Sequence, residues 1–240
     1  MNYLLIISCI VVFFLSSGSA TADYPPWSEK VFISVEEEYG VDAVKRVRNL
    51  HTIILENQDL PAMEKLDLVN KTLNYLPWIA DSQHWKKSDY WASPMETLST
   101  FGGDCEDIAI VKWMMLRHLG IPYEHLRLAY VKVKATGEIH MVLLYLTYPS
   151  KPPKQWEAYV LDNLDPEIKI GVERTDLMAV YLTDGDGTIV LIEDTGDGRN
   201  VKGIYKDRKT RSLDDLIKKM EADREKYKKL NDGRDLLPKF

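Results

Sequence analysis

Residues 103–119 read GDCEDIAIVKWMMLRHL, and the chain divides around them. Ile108, Val111, Met115 and Leu119 recur at three and four, widened by Met114, which is the buried stripe of a helix. Gly120 and Pro122 stop that helix. Just before it, Phe101-Gly102-Gly103 interrupts a preceding turn, and two glycines let the backbone bend sharply and approach another segment closely. Upstream of this stretch the apolar residues follow helical spacing. From Leu126 onward they follow strand spacing. Cys105 stands at the start of the dividing helix, among Asp104, Glu106 and Asp107.

The helical half reads as follows. Ser28 caps a helix to Tyr39, and Gly40 breaks it. Val44, Val47, Leu50 and Ile54 mark a second helix over Val41 to Asn57, with Lys45, Arg46 and Arg48 on its solvated side. Pro61 opens a third, striped by Leu66, Val69, Leu73 and Leu76 and ended by Pro77. Asp81 to Tyr90 reads as a loop or short strand. Trp78, Trp85 and Trp91 either pack the core of this half or include one that walls a groove beside the cysteine. Ser93-Pro94-Met95-Glu96 is an N-cap followed by a helical turn. The strand half comprises Leu126 to Val133, Ile139 to Thr147, Glu157 to Leu161, Met178 to Leu182, Thr188 to Glu193 and Val201 to Tyr205. Asp184-Gly185-Asp186-Gly187 and Gly196-Asp197-Gly198 read as hairpin turns; the twelve-residue calcium loop with its closing Glu is missing there. Ser212 caps a last helix to about Leu230. Leu213, Leu216, Ile217 and Met220 dock its start, and its almost wholly charged remainder is expected to project.

The first residues are a targeting signal. Tyr3 to Leu15 is an unbroken apolar run, followed by small residues and Ala20-Thr21-Ala22, which fits a cleavage site. The expected organisation is a signal peptide over 1–22, a domain over 23–211 and a charged tail over 212–240. No Lys or Arg precedes the apolar run, so an uncleaved anchor is the alternative. A net charge of -6, with basic residues interspersed among acids, leaves no footprint for nucleic acid. Cleavage would remove Cys9 and leave Cys105 as the sole cysteine of an exported chain, where it is either buried and inert or used.

A thiol attacks as thiolate, and a helix N-terminus favours that form. The acids at 104, 106 and 107 oppose it, unless they point away or a cation offsets them. Hard oxygens at this spacing suit calcium; equally, Asp104 caps the helix while Glu106 and Asp107 complement its dipole. A nucleophilic thiol needs a histidine and a group that holds it. His51 and His118 fall in helices as ordinary, partly exposed residues, and His84 and His125 fall in loops. His140 sits in the most apolar strand, on the face of Val142, Leu144 and Leu146, where an unpartnered ring is costly. If strands 139–147 and 155–163 pair across a loop centred near residue 151, His140 lies opposite Asp162.

Trp91-Ala92-Ser93-Pro94, Gly102 to Asp107, Leu119-Gly120-Ile121-Pro122, Glu138 to Val142 and Val160-Leu161-Asp162-Asn163 resemble, in order and spacing, the motifs of the bacterial transglutaminase-like cysteine peptidases, the LapG-type periplasmic proteases. The resemblance spans roughly residues 60–200. It implies an α+β, papain-like fold in which a Cys-bearing helix packs on an antiparallel sheet carrying His and Asp. It makes Cys105 the nucleophile, His140 the base and then acid, and Asp162 the group that orients His140. It assigns calcium to Asp104, Glu106 and Asp107. It further implies periplasmic cleavage of the N-terminal region of a large surface adhesin, which releases cells from a biofilm, and control by an inner-membrane cyclic di-GMP receptor. The alternatives are a transglutaminase-type acyl transferase and a non-catalytic peptide-binding adaptor.

Overall fold

A computed structural model describes residues 24–184, 187–193, 200–206 and 210–239. The proposed signal peptide and the turn at 196–198 lie outside the described residues. Among those described, no helix is long and apolar enough to cross a membrane.

Helices come first: α1 (Glu29–Tyr39), α2 (Val41–Glu56), α3 (Ala62–Leu73), the single turn α4 (Asp81–His84), α5 (Pro94–Thr100) and α6 (Cys105–His118). The strands follow: β1 (Leu126–Val133), β2 (Ile139–Leu146), β3 (Ala158–Leu161), β4 (Lys169–Ile170), β5 (Leu177–Thr183), β6 (Ile189–Glu193) and β7 (Asn200–Tyr205), with α7 (Arg211–Leu230) closing the chain. The sheet runs β4-β3-β2-β1-β5-β6-β7, and every pairing is antiparallel. Short connections account for the pairings of sequential strands, while β5 crosses from the β4 edge to pair with β1.

Side chains alternate across each strand and so feed two cores. Leu126, Leu128, Met141, Leu143 and Leu161 face the helices and join the main core with Ile110, Met114, Met115 and Leu66. Ala129, Val131, Val142, Leu144 and Val160 form a second cluster on the sheet's other face. Helix α6 is buried on nearly every side, from Asp107 to Leu116 and again at His118. It is the central element, and it holds its N-terminal turn against β2.

Five expectations need correction. Ser212 does not cap the last helix; Thr210 does, its hydroxyl accepting from Leu213 N at 3.2 Å. Residues 81–84 form a helical turn, not a loop or strand, because the backbone of Gln83, His84 and Trp85 closes onto Ala80 and Asp81. His118 is buried, not partly exposed: it packs edge-on against Tyr24 and Trp27, and burial pushes its pKa down to about 3. A short edge strand, β4, was not anticipated. The charged end of α7 does not project. Tyr227 is buried with Leu213, Leu216 and Met220, and Leu236 and Leu237 follow it into the core. Asn231 then accepts from the Ser28 backbone at 2.8 Å, tying the two ends of the described chain together.

Candidate active site

Cys105 is the first residue of α6, half-buried, with Asp104 at the N-cap. The Gly-Gly pair before it answers a close approach. A Cβ at Gly102 would stand 2.7 Å from Ile79 and 2.8 Å from the Pro77 carbonyl, and one at Gly103 would stand 2.4 Å from the Asp107 carboxylate. Gly103 bonds both ways with the incoming segment, accepting from Ile79 N at 2.9 Å and donating to Pro77 O at 3.3 Å. Trp78, between those two contacts, is 60% exposed, whereas Trp91 is buried. Trp78 is therefore the tryptophan held next to the cysteine turn.

Met141, one residue after His140, lies on the strand packed against the start of α6, and its backbone N–H favours the thiolate. Among the described residues the thiol's side-chain partner is Glu106 Oε2, at 3.0 Å, and not His140. Burial first, and then the Glu106 carboxylate, push the thiol pKa well above its ordinary value. The N–H of Met141 opposes this weakly.

His140 is buried, and its Nε2 lies 2.8 Å from Asp162 Oδ1. Nδ1 lies on the opposite side of the ring. The pairing anticipated from the strands is reached in a different register. Leu143 pairs with Leu161 and Leu144 with Val160, so Asp162 continues the ladder opposite Val142, two residues from His140. The turn at Pro153–Gln155 sets this offset. A shift of two preserves the side-chain face, so the two groups still meet diagonally.

Asp162 is fully buried, and burial alone would raise its pKa. Hydrogen bonds from His140, from Leu164 N at 2.9 Å and from Arg174 Nη2 at 2.7 Å outweigh burial and hold it at about 2. Arg174, itself buried, also grips Asp176 through Nε and Nη2. Below the carboxylate, Asn74 donates to the Asp162 carbonyl, and Asn70 to the carbonyls of Asp165 and Pro166. Lys112, a buried cation on α6, donates to Asn70 at 2.7 Å, and burial lowers its pKa to about 7. Sequence reasoning missed Arg174, Asn70 and Asn74. Lys112 carried a signal, being a lone charge inside the apolar run of α6.

The acids form one continuous group. Asp104 stands with Cys105 and Glu106; Asp104 stands again with Asp107 and Asp81; and Glu106 stands with Asp81 and Asp89. Within each set the donor atoms lie within 4.8 Å of one another. Asp81 and Asp89 were not foreseen. Asp104 makes no side-chain cap, so capping does not account for it. Burial and mutual repulsion push Asp104 up to about 9, and burial pushes Asp107 up to about 7. One oxygen of Asp81 accepts from Tyr90 N at 2.5 Å, and one of Asp107 from Ala92 N at 2.7 Å. Asp81 Oδ1, Asp104 Oδ1 and Asp107 Oδ2 are buried without a partner among the described residues. Three carboxylates that each bring an oxygen within 4.8 Å of the others, and that each carry a buried oxygen without a partner among the described residues, fit a hard cation such as calcium, which is bound through oxygen and would neutralise them.

The family model described as bacterial transglutaminase-like cysteine proteinase BTLCP matches residues 42–184. The calcium-bound structure of Legionella pneumophila LapG is similar at 29% identity and a TM-score of 0.64, over 80% of this chain and 98% of that one. The EGTA-treated structure of the same protein is similar at 27% identity and a TM-score of 0.65, over 81% and 99%. No curated protein sequence matches the chain. A cysteine opening the central helix of such a sheet, and a match over more than half the chain, lead to one conclusion: the chain belongs to the bacterial transglutaminase-like cysteine proteinase family.

Proposed function

We propose that this cysteine proteinase is an exported, calcium-dependent endopeptidase that uses Cys105, His140 and Asp162. The observation that carries this reading is the buried His140–Asp162 pair, with His140 on β2, the strand packed against the helix that Cys105 opens. Asp162 engages Nε2, which leaves Nδ1 to exchange a proton with the thiol. His140 takes that proton, and the Cys105 sulfur attacks the peptide carbonyl. The N–H of Cys105, which at the first helical position has no intrahelical acceptor, supports the developing oxyanion. His140 then protonates the leaving amine, and water, deprotonated by His140, hydrolyses the thioester. Arg174 keeps Asp162 ionised, so that Asp162 fixes the ring's orientation and stabilises the imidazolium.

Calcium would be held by Asp81, Asp104 and Asp107 together with Glu106, and when bound it supplies the positive charge that this acidic turn lacks. The Glu106 carboxylate, now the acceptor of the thiol proton, is the ligand whose engagement would free the sulfur for His140. The substrate is the N-terminal region of a large surface adhesin. Cleavage takes place in the periplasm after removal of residues 1–22, and an inner-membrane cyclic di-GMP receptor is the inhibitor. Support for these last points is the sequence resemblance alone.

The test is incubation of mature wild-type, Cys105→Ala and His140→Ala proteins with adhesin N-terminal fragments, in calcium and in chelator. The expected result is a new N-terminus with wild type in calcium and a loss on the order of a thousandfold in both variants. Equal cleavage by Cys105→Ala removes the nucleophile assignment. An isopeptide product in place of a new N-terminus replaces hydrolysis by acyl transfer. Unchanged cleavage by metal-free protein removes calcium.

A further inference from the structure

Helix α7 lies outside the stretch that the family model matches, yet it reaches the acidic group through one intermediary, residues 89–93. That segment has two sides. On one, its amides hold the acids: Tyr90 N on Asp81 Oδ2 at 2.5 Å and Ala92 N on Asp107 Oδ1 at 2.7 Å. These two contacts hold carboxylates whose other oxygens, Asp81 Oδ1 and Asp107 Oδ2, are buried without a partner among the described residues, as is Asp104 Oδ1, and the three residues each bring an oxygen within 4.8 Å of the others. On its other side the same segment is gripped by α7. Ser212 Oγ donates to Asp89 Oδ2 at 2.5 Å, Lys219 Nζ donates to the Trp91 carbonyl, and Ser93 Oγ donates to Asp223 Oδ2 at 2.6 Å. Lys219 also lies 3.6 Å over the Tyr90 ring and 3.7 Å from Glu96. The helix is itself anchored by Leu213, Leu216, Met220 and Tyr227, so the grip has a fixed base.

We infer that α7 is the positioning element of the cation site: by clamping residues 89–93 it aims Asp81 and Asp107 and thereby sets the site's affinity for calcium. This rests on the calcium reading above and goes beyond it, because it assigns a role to the charged tail and to Lys219, Ser212 and Asp223. The contacts are between an apolar-anchored helix and a backbone that touches the acids directly, so no long-range pathway is invoked.

The sign of one substitution separates the clamp from simple electrostatics. Lys219 is a cation near Asp107 and Glu96. Removing its charge would, by relief of Coulomb repulsion alone, tighten binding of a second cation. The clamp requires the opposite, since Lys219→Met frees the Trp91 carbonyl and lets the segment drift. The experiment is calcium titration by calorimetry on the full mature chain carrying Cys105→Ala, which has no activity to confound the readout. Lys219→Met, Ser212→Ala and the pair together are compared with Lys218→Met, which removes an equal charge from the exposed side of the helix. Expected is a Kd at least fivefold weaker for Lys219→Met and at least tenfold weaker for the pair, with Lys218→Met within twofold. Thermal denaturation in chelator verifies that each variant folds, and Ser212→Ala, which removes only one hydroxyl, carries the test if Lys219→Met does not fold. A Kd unchanged or tighter in the folded variants overturns the clamp while leaving calcium binding intact. Absence of calcium uptake by the Cys105→Ala parent overturns the calcium reading itself, and the clamp with it.

Discussion

Replacing Arg174 with Met removes the Nη2 donor from Asp162 Oδ2 and keeps an apolar stem of similar length. Both partners are buried, with side-chain exposures of 6% and 0%, so solvent does not screen the loss. Breaking a buried pair from one side costs about 3 kcal/mol, because the surviving charge is left under-compensated. For a chain of this size that lowers Tm by about 6–12 °C at neutral pH. A second magnitude comes from proton linkage. Asp162 is held at about 2, against an ordinary value of 3.8. That depression corresponds to about 2 kcal/mol of stability, shared among His140, Leu164 N and Arg174. A depressed carboxylate contributes fully above its unfolded value and loses its contribution as pH falls through its folded value. The difference in stability between wild type and Arg174→Met is therefore full at neutral pH and shrinks between about pH 4 and pH 2. Urea denaturation of both proteins across pH 7 to 3, in chelator, reads this directly. A gap below about 1 kcal/mol at pH 7, or one that stays constant as pH falls, refutes the claim that Arg174 acts on Asp162.

The acidic group carries the reverse linkage. Asp104 and Asp107 have folded values raised to about 9 and about 7, so chelated protein loses stability as pH rises from about 5 to 8, and calcium abolishes the slope; a chelated protein whose Tm stays flat or rises over that range contradicts the burial of these acids. Glu106→Gln removes the charge that holds the thiol proton, so iodoacetamide labels Cys105 several-fold faster at pH 7 without calcium; an unchanged rate measured by mass spectrometry shows that Glu106 does not control the thiol. Tyr227→Ala empties a fully buried site in α7 and costs about 3–4 kcal/mol by chemical denaturation, whereas a projecting tail would lose nothing.

Periodicity alone was enough for the division into helices followed by strands, because 3.6-residue and two-residue spacing are local properties that burial imposes on a chain. The same holds for the start of α6 and for the glycines before it, though only the packed structure shows what approaches them, namely Pro77, Ile79 and the Asp107 carboxylate. The charged stretch of α7 misled because Arg224 occupies a place in the apolar stripe between Met220 and Tyr227, where it pairs with Glu221 and Asp235. Arg174 was invisible because nothing local marks an arginine as the partner of a carboxylate twelve residues away, beyond β4.

His140 and Asp162 illustrate the boundary between the two kinds of information. The sequence by itself determined which residues share a face within each strand, His140 with Val142 and Leu144 and Asp162 with Val160, but a one-residue slip between the strands would have turned Asn163 to His140 in place of Asp162. Only the tertiary structure decided that they meet diagonally, because the turn at Pro153–Gln155 sets the register by two residues. The acids show the same limit more sharply. Asp104, Glu106 and Asp107 were legible as neighbours on one turn. Asp81 and Asp89 joined them through the docking of a separate segment, which in turn is held by a helix more than a hundred residues away. Local pattern specifies which face a residue presents, and long-range packing specifies which residues that face will meet.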